Sequence, residues 1–130
     1  MQYGISITTA RDYDDALAAT KAALKEQGFG VLTEIDVKAT MAEKLGVAFR
    51  RYDIIGACNP PLAHKALSTE LDIGLLLPCN LIVYEADDGG SVVAALDPEA
   101  MMSMTANPDL REVAAEAKAR LERALASVAA

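Results

Sequence analysis

Tyr52-Asp-Ile-Ile-Gly-Ala-Cys58-Asn59-Pro60-Pro-Leu-Ala-His64-Lys-Ala-Leu67, followed after a short gap by Gly74-Leu-Leu-Leu-Pro78-Cys79-Asn80-Leu-Ile-Val-Tyr84, is the stretch whose reading decides the fold. Two apolar runs flank a short helix. The first, residues 50–57, begins as a strand and loses its polar residues along its length. Gly56 and Ala57 near its end suggest a close backbone approach. Asn59 offers a side-chain cap and Pro60 sits where no amide hydrogen is needed, so a helix starts here and runs to about Glu70. Pro78 cannot donate to a ladder and marks an edge, a bulge or a strand start, which places the regular strand at 80–86. Both cysteines of the chain lie in this stretch, and an asparagine follows each.

Working outward, Tyr3, Ile5 and Ile7 alternate with small and polar residues, the period of a half-buried strand. Thr9 to Asp12 resembles a capping box. Tyr13, Leu17, Thr20 and Leu24 then mark one face of a helix over 12–28, which Gly28 stops. A second strand covers 29–35, with Phe29, Val31, Thr33 and Ile35 assigned to one side. Residues 37–46 read as a short helix with Met41 and Leu45 inward. Beyond the central stretch, Asp87-Asp-Gly-Gly90 is a hairpin turn and 91–96 returns as strand five. Asp97-Pro98 opens a short helical turn, and Asn107-Pro108 opens the last helix, to about Val128. Leu110, Val113, Ala117, Leu121, Ala124 and Val128 form its inner stripe, and Glu116 and Arg120 support it at i, i+4.

Strand, helix, four strands with short helical inserts, helix: this order predicts an α+β, two-layer domain over residues 1–130, with a mostly antiparallel five-stranded sheet. The helices at 12–28 and 108–128 are expected on the same face, burying Leu17, Leu24, Val113, Ala117 and Leu121. The first strand-helix-strand unit suggests one parallel pair. Apolar residues left on the other face, or the Met101–Met104 segment, predict a second copy as their cover, hence a homodimer.

The 130 residues suit a single domain, and 52% hydrophobic content supports a core without staples. A net charge of −7 argues against nucleic acid and against an anionic membrane surface as partners. No apolar run reaches the roughly 20 residues of a membrane span. The first residues lack a basic segment followed by an apolar one, the mark of a signal peptide. A cytoplasmic protein with reduced thiols is the expectation.

Gly56-Ala-Cys58-Asn-Pro60, Ala63, Ala66-Leu67 and Gly74-Leu-Leu-Leu-Pro78-Cys79-Asn80 resemble the domain-of-unknown-function family 302. Gly28-Phe-Gly-Val-Leu32, Glu34-Ile-Asp36 and Asp97-Pro98 fit it too. The resemblance spans nearly the whole chain. It implies a compact α+β domain with a sheet like that of the TATA-binding protein and a tendency to dimerise. The family has no agreed activity, so no catalytic role carries over. It directs attention to Cys58, Asn59, Pro60, Pro78, Cys79 and Asn80.

Cys58 precedes a helix N-terminus, where free amides and the helix dipole favour a thiolate. Such a thiol serves as nucleophile, redox sensor or metal ligand. The competing reading is a small buried hydrophobe. Cys79 has the same two readings, with apolar neighbours favouring burial. His64, the only histidine, could complete a three-ligand zinc or copper(I) site with the cysteines, but the spacing matches no strong zinc pattern. Met101, Met102 and Met104 read as core or interface filler. Asp36, Asp53 and Asp97 lie near strand ends, where paired carboxylates could do acid-base work or hold a cation. Against that, Asp97 reads as a helix cap before Pro98, and Asp36 and Asp53 read as turn or solvated residues. Arg50 and Arg51 read as solvent-facing. Gly28 and Gly30 open a strand, the wrong context for a nucleotide loop.

No motif specifies a reaction. The expected function is small-ligand binding or an accessory role, not catalysis, around Cys58, Asn59, Cys79 and Asn80, with no cofactor or metal assigned. The alternative is thiol-dependent redox or metal handling by Cys58 and Cys79. A third class is an interaction module in which the motif only shapes a dimer.

Overall fold

A computed structural model describes residues 1–130. The strands are β1 (Gly4–Thr9), β2 (Gly30–Asp36), β3 (Tyr52–Cys58), β4 (Cys79–Glu85) and β5 (Ser91–Leu96). They form one sheet in the order β1-β5-β4-β3-β2, and every pairing is antiparallel. The helices are α1 (Tyr13–Glu26), α2 (Val37–Leu45), α3 (Pro60–Thr69), α4 (Pro98–Met102) and α5 (Arg111–Ala129). The architecture is the expected α+β one.

The expected parallel pair does not form. Helix α1 carries the chain from one edge of the sheet to the other, so β1 pairs with β5 and β2 with β3.

Helices α1 and α5 share one face of the sheet. Ala16, Ala23 and Leu24 of α1 and Leu121, Ala124, Leu125 and Val128 of α5 join Ile55, Leu81, Val83 and Val93 in one buried cluster. Leu24, Val113, Ala117 and Leu121 are buried as expected, and Leu17 packs against the cluster while half-exposed. The whole predicted stripe of the last helix is buried.

Capping sets the boundaries. Asp12, not Thr9, caps α1, accepting from the Asp15 amide at 2.9 Å, while Thr9 Oγ1 accepts from Arg11 N. Asn59 caps α3 from the Leu62 amide, and Asp97 caps α4 from those of Glu99 and Ala100.

Two assignments fail in the β2–α2 region. Leu32 is an extra residue between the pairs Val31↔Ala57 and Thr33↔Gly56. This bulge flips the alternation, so Val31 faces the helices with Ala57 while Thr33 and Ile35 face away. Helix α2 buries no residue, and Leu45 is 69% exposed. It lies against β2 and β3 and is held by its caps, Asp36 and the left-handed Gly46 at φ +65°.

Candidate functional site

A second, smaller apolar cluster sits beside the main core. Ala66 of α3, Ile73, Leu110 and Val113 of α5 are its buried members. Between the two clusters lies a cavity of about 350 Å³. The ends of β3 and β4 form its floor through Ala57, Cys58 and Cys79. Helix α3 supplies Leu62 and Ala63, α4 supplies Met101 and Met102, and α5 supplies Ala114 and Ala117. Phe29 and Leu32 close it from the β2 side. Of its 19 lining residues 15 are hydrophobic, and none is an Asp, Glu, Lys, Arg or His. Asn59 is the sole lining residue with an amide side chain.

The walls are fixed by polar contacts outside the cavity. The Gln27 carbonyl accepts from Arg120 Nη1 at 3.0 Å and from Asn59 Nδ2 at 3.4 Å, which ties the end of α1 to α5 and to the α3 cap. Gly28 allows this junction: its φ is +83°, and a Cβ there would lie 3.1 Å from Asn59 Nδ2. Opposite, Lys118 Nζ lies 3.0 Å from Asp97 Oδ2 and 3.1 Å from Glu99 Oε1, clamping α4 to α5. Burial alone would raise the Asp97 pKa, but Lys118 and two helix amides outweigh it and hold the carboxylate below its ordinary range.

Cys58, Asn59 and Cys79 therefore meet at one cavity. Cys79 pairs across the ladder with Ala57, the residue before Cys58, so the cysteines sit one residue out of register where the adjacent strands end. Both are free thiols and partly exposed. Burial pushes the Cys79 thiol above its ordinary pKa, and the nearby Cys58 adds to the shift. At neutral pH Cys79 is thus held as the neutral thiol. Asn80 does not join them. It pairs with Gly56 on the opposite face of the sheet and lines a shallow depression with Tyr3, Leu75, Leu96 and Met104.

His64 lies on the exposed side of α3, away from the cavity. The three-ligand arrangement with Cys58 and Cys79 does not form, and no group of three or more His, Cys, Asp or Glu side chains gathers where an ion could be held. Arg50 and Arg51 are engaged rather than free. Arg50 pairs with Asp87 at 3.3 Å, and Arg51 pairs with Asp14 while lying over the Tyr13 ring at 4.4 Å.

Asp53 was misplaced as well. It is no turn or solvated group: only 3% of it is exposed, and its Oδ2 has no hydrogen-bond partner. The signal was present, since Asp53, Ile55 and Ala57 alternate along β3 and Ile55 and Ala57 are fully buried.

No helix is long and apolar enough to cross a membrane. A search of curated proteins finds no match. Among solved structures, the chain resembles an uncharacterised conserved DUF302 protein from Bacillus stearothermophilus. The TM-score is 0.90 at 29% sequence identity, over 98% of each chain. The profile of the family described as "Domain of unknown function DUF302" matches residues 5–128, and the chain belongs to that family.

Proposed function

We propose that the chain binds a small, neutral, apolar molecule in the cavity beside Cys58 and Cys79, as a binding or accessory protein rather than a catalyst. The observation that carries this reading is an apolar cavity of about 350 Å³ with no charged side chain in its wall. Its volume falls at the lower end of the roughly 300–1,000 Å³ typical of ligand sites. An apolar cavity of about 150 Å³ already accepts benzene. A charged ligand would lose its hydration here without gaining a partner.

Thermal unfolding with benzene, indole or octanoate as probes tests the reading. Benzene or indole should raise Tm in proportion to the logarithm of its concentration, and octanoate should not. Bound indole should also slow iodoacetamide labelling of Cys58 and Cys79. Ala63→Phe, which fills the cavity from α3, should remove both effects while keeping its own cooperative transition. Unchanged Tm and labelling rates at near-saturating indole would overturn the proposal.

One observation favours a second reading, thiol chemistry: both cysteines line the same cavity and neither residue is fully buried. The labelling experiment separates the two. Cys58 reacting first without denaturant, at an unchanged rate with indole present, favours thiol chemistry over ligand binding.

We also infer a homodimer. Leu71, Leu75, Met104 and Tyr3 are 82%, 88%, 73% and 66% exposed, and the last three share the depression beside Asn80. Light scattering at micromolar concentration should report two chains, and Leu75→Glu should return one. A stable pair would bury more than about 1,000 Å². A monomeric wild type would end the inference.

A further inference from the structure

The buried carboxylate of Asp53 lies outside the cavity, on the helix-facing side of β3. Its Cα partner on β2 is Asp36 and its partner on β4 is the apolar Val83. Glu34 pairs with Ile55, two residues along, so Glu34 and Asp53 are diagonal neighbours on one face. The register sets their carboxyl-bearing side chains beside one another on the helix-facing side of the sheet. Two ionised carboxylates cannot bond, because both only accept.

The nearby cation is already committed. Lys21 of α1 reaches Glu34 Oε1 at 2.8 Å. Arg51 is drawn away to Asp14 and the Tyr13 ring. Asp36 spends its side chain on the Ala39 amide. Tyr13 faces Asp53 from α1, and its hydroxyl is pushed up to about 12 by burial first and then by the charges of Asp53 and Asp36. The groups around Asp53 are thus Tyr13 and Lys21 from α1 and Glu34 and Asp36 from β2. None of them supplies Oδ2 with a donor.

We propose that Asp53 and Glu34 share one proton, carried by Asp53 and donated to the Glu34 carboxylate, and that this proton latches the edge strand β2 to β3. When it leaves to solvent the pair changes from one negative charge to two, both held against the same face. Strand β2 is the element least able to resist the resulting repulsion. It lies at the sheet edge, all its residues are exposed, and it carries the Leu32 bulge. Phe29 and Leu32 belong to the cavity wall. Loss of the proton therefore loosens one wall, and the cavity takes its ligand in a pH-dependent way. This last step rests on the ligand-binding reading; the shared proton does not.

Burial, then the bond to Glu34 and its charge, raises Asp53 to about 7, while the bonds from Asp53 and Lys21 lower Glu34. The folded state thus holds the Asp53 proton more tightly than the unfolded chain. The associated stability is complete below the ordinary aspartate value and is lost as pH rises through about 7. Glu34 acts oppositely, losing its contribution on acidification below its usual range.

Carbon-13 NMR of the side-chain carboxyls, with amide hydrogen exchange of β2, tests the latch without any ligand. Asp53 should titrate near 7. Exchange of the β2 amides, corrected for intrinsic rates, should rise by up to about a hundredfold between roughly pH 5 and pH 8.5. Asp53→Asn supplies a permanent donor to Glu34 and should flatten that rise. Glu34→Gln gives an ionised Asp53 a neutral donor and should move its titration down. An Asp53 that titrates near 4, or β2 exchange with the same pH dependence in Asp53→Asn, would overturn the latch. Indole binding across the same range reads the coupling separately. A confirmed latch with no indole binding at any pH removes the ligand reading alone. Indole binding that ignores pH while the latch titrates removes the coupling.

Discussion

Leu121→Ala is expected to lower the stability of the folded chain by about 3–4 kcal/mol, the middle of the range for deleting a fully buried leucine side chain. Leu121 is 0% exposed, at the point where α5 meets both α1 and the sheet. Alanine is the better helix former, so the helix itself gains slightly and the loss belongs to packing. Urea denaturation should show a lower midpoint with an unchanged slope. At roughly 3–5 °C per kcal/mol for a chain of this size, Tm should fall by about 10–15 °C. Leu45→Ala is the matched control, because Leu45 is 69% exposed and should change stability by less than about 0.5 kcal/mol. A similar loss at both positions would mean that α5 does not sit in the core as described.

Gly56→Ala is expected to destabilise by about 2–3 kcal/mol, near the upper end for overpacking a tight site. A Cβ at Gly56 would lie 2.1 Å from Thr33 Oγ1 and 2.8 Å from Pro78 Cγ. The hydroxyl belongs to the residue just after the β2 bulge, and the proline to the residue just before β4. The substitution pushes both neighbours of β3 outward. Thr33→Ala removes the nearer obstacle and leaves Thr33 Cβ at 3.5 Å, an ordinary contact. The double variant should recover part of the loss, about 1 kcal/mol as a coupling energy, with Pro78 accounting for the remainder. Additive losses in a four-member denaturation cycle would count against this packing.

The parts of this fold that were legible in the sequence are those specified locally. Asn59-Pro60 and Asp97-Pro98 each mark a helix start because cap and proline act within one turn. The inner face of α5 is legible because a 3.6-residue period needs no partner to be seen. What escaped depends on partners distant in sequence. The Leu32 bulge exists only in the register against Gly56 and Ala57, and an unbroken alternation over Phe29 to Ile35 hides it. Helix α1 looks the same whether it links neighbouring strands or opposite edges. Of the candidate site, Cys58, Asn59 and Cys79 were legible as a cluster because α3 makes a short connection between adjacent strands. Asn80 was not, because one step along a strand turns a side chain to the other face. The cavity itself depends on Met101 and Ala117 closing over those strands, which no local pattern announces.

The strand order also governs how the chain acquires its structure during synthesis. Strand β1 has one neighbour, β5, and its register runs from Gly4 against Leu96 to Thr9 against Ser91. The first strand made has nothing to pair with until the last strand has emerged. Its apolar residues Ile5 and Ile7 then pack beside a cluster that also requires Leu121 to Val128. The hairpins β2–β3 and β4–β5 can form early, but closing the two ends waits for the C-terminal helix. Contacts that span most of the chain slow folding because the entropy of closing the loop is lost before the contact is gained. Until β5 and α5 have been made, β1 and the apolar side of α1 therefore lack the partners that cover them in this domain.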